Sequence, residues 1–122
     1  MNINAQEKRN KQKDKETRVV VNTCEYLINK GFTPTLLNGK KFNFDDLLVL
    51  HSQLFEKNYN DGNCNIDGEE IFLNLTINNL QSDWISFKPG CGFRYVITGY
   101  SDTLCDYMYA IQALINYIQL YH

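Results

Sequence analysis

The stretch Asp83–His122, DWISFKPGCGFRYVITGYSDTLCDYMYAIQALINYIQLYH, decides the fold of this chain. Two short runs, Trp84–Phe87 and Phe93–Tyr100, are rich in the aromatic and β-branched residues that suit a pleated surface. Between them, Lys88-Pro89-Gly90-Cys91-Gly92 supplies a turn. After Ser101 or Asp102, either of which can cap a helix, the period changes from two to 3.6. Leu104, Met108, Ile111, Ile115 and Ile118 form one apolar stripe at alternating four- and three-residue spacing. Tyr107, Ala110, Leu114, Tyr117 and Tyr121 form a second, and Asp106, Gln112, Asn116 and Gln119 leave only a narrow polar seam. A helix so apolar has to be covered, within its own domain or by a partner. A sheet on one side and two further helices on the other would cover both stripes; a homodimer through this C-terminal helix is the alternative.

Upstream, Glu70–Asn78 alternates, with Ile71, Leu73, Leu75 and Ile77 on one face and Phe72, Asn74, Thr76 and Asn78 on the other. That is the pattern of a half-buried antiparallel strand, and with the two runs above it makes a three-stranded meander. Residues 58–68, crowded with Asn, Asp and Gly, read as loop. Before them, Asn43 caps a helix that should run to about Lys57, with Asp45 and Asp46 favourably placed against its dipole and Phe42 stapling onto Leu47. Leu47, Leu50 and Leu54, with Leu48 and Phe55, should be buried. Thr35-Leu36-Leu37, Asn38-Gly39 and Lys40-Lys41-Phe42 have the signature of a hairpin around a type I′ turn. A first helix runs from Lys15 or Thr17 to Lys30 and stops at Gly31, although Val19–Val21 could also form a strand.

These elements predict an α+β fold: an antiparallel β-sheet, a three-stranded meander plus a hairpin, with about three α-helices packed on one face. Residues 15–122 form a single domain, and residues 1–14 a flexible, basic and polar N-terminal arm. A chain of 122 residues can bury about two thirds of its unfolded surface, so neither disulfides nor a metal is needed to hold a core.

The net charge of −2 conceals an asymmetry. Lys8, Arg9, Lys11, Lys13, Lys15 and Arg18 outnumber Glu7, Asp14 and Glu16 in the first 18 residues, whereas the remainder has six basic and eleven acidic groups. The arm could meet phosphates or an acidic partner, but its interleaved acids also suit a solubilising terminus. Cys24, Cys64, Cys91 and Cys105 are scattered without a CxxC pair. The first residues are polar and charged, and no apolar run is long enough for a membrane helix. A cytoplasmic location, in a bacterium or a phage-infected host cell, with reduced thiols and no membrane association, is the expectation.

Catalytic and metal motifs are weak. Asp61, Asn63, Asn65, Asp67 and Glu69 alternate like an EF-hand loop, but the sixth position is Ile66, the twelfth is Phe72, and a strand follows. Cys91 on its turn and His51 on its helix are the only pieces of a thiol nucleophile, and no spacing brings them together. The scattered cysteines lack the close pairing of zinc ligands, and Lys88–Gly92 opens no helix, as a phosphate loop must. No cofactor, metal or catalytic residue is expected. The sheet face away from the core would present Asn74, Thr76, Trp84, Ser86, Lys88, Arg94, Thr98 and Tyr100. Trp, Tyr and Arg are the residues that most often anchor protein interfaces, so Trp84, Lys88, Arg94 and Tyr100 are the candidate binding residues. The expectation is a non-catalytic protein-binding module, of the kind found among phage or mobile-element inhibitors and bacterial toxin-immunity proteins. Two alternatives are a nucleic-acid-associated regulator using the arm (Lys8, Arg9, Lys11, Lys13, Lys15, Arg18) with the aromatic sheet face, and a cysteine-dependent enzyme.

Overall fold

The computed structural model describes residues 3–36, 42–61, 69–77, 81–92 and 96–121. In chain order these form α1 (Ile3–Asn29), β1 (Phe32–Leu36), α2 (Phe44–Asp61), β2 (Ile71–Ile77), β3 (Gln81–Phe87), β4 (Ile97–Tyr100) and α3 (Cys105–Tyr121), the last entered through a 3₁₀ turn, Asp102–Leu104. The fold is α+β, with one antiparallel sheet of order β1-β2-β3-β4.

The alternation in β2 decides the layering. Ile71, Leu73 and Leu75 are buried, and β3 lays Phe87 and Ile85 directly opposite Ile71 and Leu73. Residues opposite one another in an antiparallel pair share a face, so this side of the sheet is a continuous apolar floor. Val19, Val20, Cys24 and Leu27 of α1, Leu47 and Leu54 of α2, and Leu104, Ile111 and Ile118 in and before α3 pack on it. Burial at about 25 cal/mol per Å² makes that floor the main stabilising term.

The Asn38-Gly39 turn lies outside the described residues. Its expected first arm is the end of β1, whose described partner is β2: Phe32 opposes Ile77, Pro34 opposes Leu75 and Leu36 opposes Leu73. Pairing this way extends the apolar floor by one strand. Pro34, which has no N–H, is tolerated because β1 is an edge strand.

α1 is much longer than expected and includes most of the presumed arm. Val19–Val21 joins the helix because Val19 and Val20 face the core, which outweighs their β preference. Residues 4–13 contain no glycine or proline, and α2 gives their turns something to dock on. Arg9 and Lys13 both pair with Glu56 of α2, Lys13 at 3.0 Å. The two cations also lie 5.5 and 5.7 Å above the Phe55 ring. α1 ends at Gly31, whose φ of +100° suits a left-handed stop.

α2 begins as expected: the Asp45 N–H donates to Asn43 Oδ1 at 2.8 Å. It continues one turn past Lys57 to Asp61, because Asn58 is buried rather than part of a surface loop. Leu48 is exposed and Leu50 half-buried, while Leu47, His51, Leu54 and Phe55 form the inward face.

Candidate functional site

Helices occupy one face of the sheet, and the other carries Thr33 and Thr35 from β1, Phe72, Asn74 and Thr76 from β2, Trp84 and Ser86 from β3, and Thr98 from β4. At its centre Trp84 stacks on Phe72 with ring centroids 5.0 Å apart. The Trp84 ring also covers Gly99 so closely that a Cβ there would lie 3.0 Å from it. Trp84 is therefore half-buried, held by its neighbours within the sheet.

Of the other expected anchors, Lys88 and Tyr100 do not join it. Arg94 lies outside the described residues. Lys88 is buried, its ammonium 3.8 Å from the Glu70 carboxylate. Tyr100 is on the opposite face, because Phe87 pairs with Ile97 but Ser86 pairs with Gly99. Thr98 is thus the extra residue of a β-bulge, its hydroxyl 2.9 Å from that of Ser86. The bulge shifts the parity of the strand and turns Tyr100 towards α3.

There, between β4 and α3, lies a groove of about 750 Å³ lined by Ile97 and Tyr100 on one side and Met108, Tyr109, Gln112 and Ile115 on the other. Its strand wall is the edge of the sheet. Its helix wall continues into the outward face of α3, which departs furthest from expectation. The first stripe is buried at Leu104, Ile111 and Ile118. Of the second, Tyr107 packs edge-on against Phe32 at 5.3 Å and Leu114 is half-buried, but Ala110, Tyr117 and Tyr121 are exposed. Tyr109 and Leu120, which belong to neither stripe, are 89% and 75% exposed; Tyr117 and Tyr121 are 58% and 68% exposed. From Tyr107 to Tyr121 there is no charged side chain. Tyrosine-rich, charge-depleted surface is what distinguishes interface cores from ordinary protein surface.

A second constellation is buried and polar. Glu16, fully buried on α1, accepts the Gly90 N–H at 2.8 Å and the Gln12 amide at 2.8 Å. Burial pushes its carboxyl above the usual carboxylate range, against the lowering effect of Gln12 and the Gly90 and Gly92 amides. Asn58, fully buried on α2, donates to the carbonyls of Pro89 at 2.8 Å and Glu69 at 3.0 Å. The two side chains clasp the Lys88–Gly92 turn between α1 and α2. The turn itself was legible in the sequence; Glu16 and Asn58 had no signal beyond being acidic and amide residues in polar company.

His51 is buried with its ring on Phe55, and Nδ1 is 3.5 Å from the Thr17 hydroxyl. Burial first and the Lys13 charge second lower its pKa to about 4, so at neutral pH it is uncharged. Cys24 is buried, and desolvation, aided by Glu25, raises its pKa to about 12, which keeps the thiol protonated. Cys105 is exposed at the start of α3, and Cys91 is half-buried on the turn. Among the described residues no group of three His, Cys, Asp or Glu side chains is placed to hold a metal ion, and the Asp61–Glu69 loop lies largely outside them.

Of the arm cations, Arg9 and Lys13 are engaged by Glu56, and Arg18 pairs with Asp14 at 3.0 Å. Lys8 and Lys11 are exposed and Lys15 is half-buried. Among the described residues no helix is long and apolar enough to cross a membrane. No protein-family model, no curated protein and no solved structure matches the chain.

Proposed function

We propose that this protein is a non-catalytic, cytoplasmic module that works by protein–protein contact, and that its contact surface is the outward face of α3 together with the groove beside β4. One observation carries the reading. α3, one face of which is exposed along the helix, has no charged residue over 15 positions, yet displays Tyr109, Tyr117, Leu120 and Tyr121 to solvent. A helix face with no partner would be expected to carry charged residues. The thiols of Cys24 and Cys105, neither of them in a disulfide, suit a reducing compartment. The arm supports a nucleic-acid reading less well, because two of its cations already neutralise Glu56.

The test is affinity capture from the native cell with the wild type, the double variant Tyr109→Asp/Leu120→Asp and, as a control on the opposite surface, Trp84→Ala. A partner held by the wild type and Trp84→Ala but released by the double variant is the expected result. Retention of the same partners by a folded double variant refutes the assignment.

A further inference from the structure

We propose that the α3 surface receives a second copy of this chain, the two α3 helices lying antiparallel across a twofold axis. The proposal rests on the protein-contact reading above and names the partner.

Three observations select a second copy. The first is charge. The chain has a net charge of −2, with eleven acidic against six basic groups in residues 19–122, so two copies meeting through those charged surfaces would oppose like charges. From Tyr107 to Tyr121 α3 has no charge at all, which makes it a face where two such chains can meet without like charges opposed. The same neutrality gives a strongly basic or acidic partner nothing to recognise.

The second is area. At roughly 200 Å² per aromatic side chain, Tyr109, Tyr117 and Tyr121 at their observed exposures offer roughly 430 Å². Leu120, Ala113 and Asn116 on the same face bring the patch towards the roughly 800 Å² per partner of a standard specific interface.

The third is self-complementarity, which a twofold contact requires. With the axis crossing α3 between Leu114 and Ile115, Tyr109 of one copy meets Leu120 of the other. Ala113 then faces Asn116. The exposed small residue near the axis, Ala113, lets the helices approach, and the large side chains close the ends. Gln112 and Asn116 already hydrogen-bond within one helix at 3.1 Å and offer further donors and acceptors near the axis.

The test is the oligomeric state. Light scattering on the full-length chain should give twice the 14.2 kDa chain mass. Tyr109→Asp/Leu120→Asp places charges in the contact and should raise the dimer dissociation constant at least about 100-fold, with unchanged circular dichroism. Independently, Ala113→Cys should form a covalent dimer under mild oxidation about ten times faster than the wild type, whose exposed α3 thiol, Cys105, has no facing thiol in this register. A monomer at about 200 μM, well above a micromolar dissociation constant, overturns the proposal. A dimer that survives the double variant, or that Ala113→Cys does not capture, also overturns it. A monomeric wild type that loses a different protein through the same variant overturns self-association while leaving the protein-contact reading intact.

Discussion

Protonation of His51 should destabilise this fold, and the effect can be isolated. The ring is 1% exposed on α2, 6.4 Å from the Phe55 ring and stacked on it, and Nε2 is buried with no hydrogen-bond partner among the described residues. Adding a proton there would bury a cation close to Lys13, whose charge already disfavours it. The folded pKa of about 4 lies well below the ordinary value of 6.5. The sign follows: the unfolded chain takes up the proton first, so stability is fully present above about pH 6.5 and is lost as pH falls towards 4. At about 1.4 kcal/mol per pKa unit, the loss reaches roughly 3 kcal/mol, a large part of a usual domain stability of about 5–15 kcal/mol. The assay is urea unfolding of the wild type and His51→Leu at pH 7 and pH 4. Leucine keeps an apolar side chain against Phe55 but binds no proton. Glu16, Glu56 and every other ionisable group are common to both proteins, so their effects largely cancel in the difference. Relative to the wild type, His51→Leu should gain roughly 2–3 kcal/mol between pH 7 and pH 4. A difference that stays constant across that interval would refute the burial argument.

Glu16→Ala removes the buried carboxylate that accepts the Gly90 N–H and should cost about 1–3 kcal/mol by urea unfolding. Glu16→Gln tests the sign of the burial effect. A raised carboxyl pKa stabilises the fold fully below its unfolded value and progressively less as pH rises through the folded one, so Glu16→Gln should compare more favourably with the wild type at pH 7 than at pH 4; the reverse order excludes it. Gly90→Ala forces a Cβ to within 2.8 Å of the Phe55 carbonyl oxygen and 3.0 Å of the Tyr59 nitrogen at a φ of +87°, and should cost about 2–5 kcal/mol. A melting temperature unchanged by that substitution would show that the turn does not pack on α2 as described. Deleting residues 1–16 removes Arg9, Lys13 and Glu16 together and should lower the urea midpoint clearly, whereas an expendable arm would leave it unchanged. Leu120→Asp, exposed on the single chain, should change the stability of the monomer, measured at a concentration too low for association, by less than about 0.5 kcal/mol, which separates its effect on association from any effect on folding.

What was legible in the sequence was the part governed by periodicity. Period two in Ile71–Ile77 and the first stripe of the terminal helix fixed the sheet floor and what packs on it, because burial of one face is the largest local constraint on pattern. Two kinds of information were missing. Parity is carried along a strand only until a bulge interrupts it, and nothing in Ile97-Thr98-Gly99-Tyr100 announces that Thr98 and Gly99 together oppose Ser86. The face assigned to Tyr100 was therefore wrong, and among the described residues the aromatic pair on the outer sheet face is Phe72 with Trp84. Long-range polar contacts were the other gap. Glu16 and Gly90 are 74 positions apart, and no local rule distinguishes a carboxylate that binds a buried turn from one that solvates a helix.

Charge was the least reliable guide in the first helix and the most useful in the last, for one physical reason. A count of cations cannot say whether each is answered. Arg9 and Lys13 look available in sequence but meet Glu56 across a helix interface, lowering the Glu56 pKa chiefly through hydrogen bonds and laying their charges over Phe55. An excess of positive charge can be cancelled by tertiary structure, so it is weak ground for a nucleic-acid surface. The absence of charge cannot be cancelled in this way. Where the fold leaves a charge-free helix outside, at Tyr109, Tyr117, Leu120 and Tyr121, no other described part of the chain covers those side chains. The sequence could count apolar stripes on this helix, but only the fold could show how many of them its own core has room for.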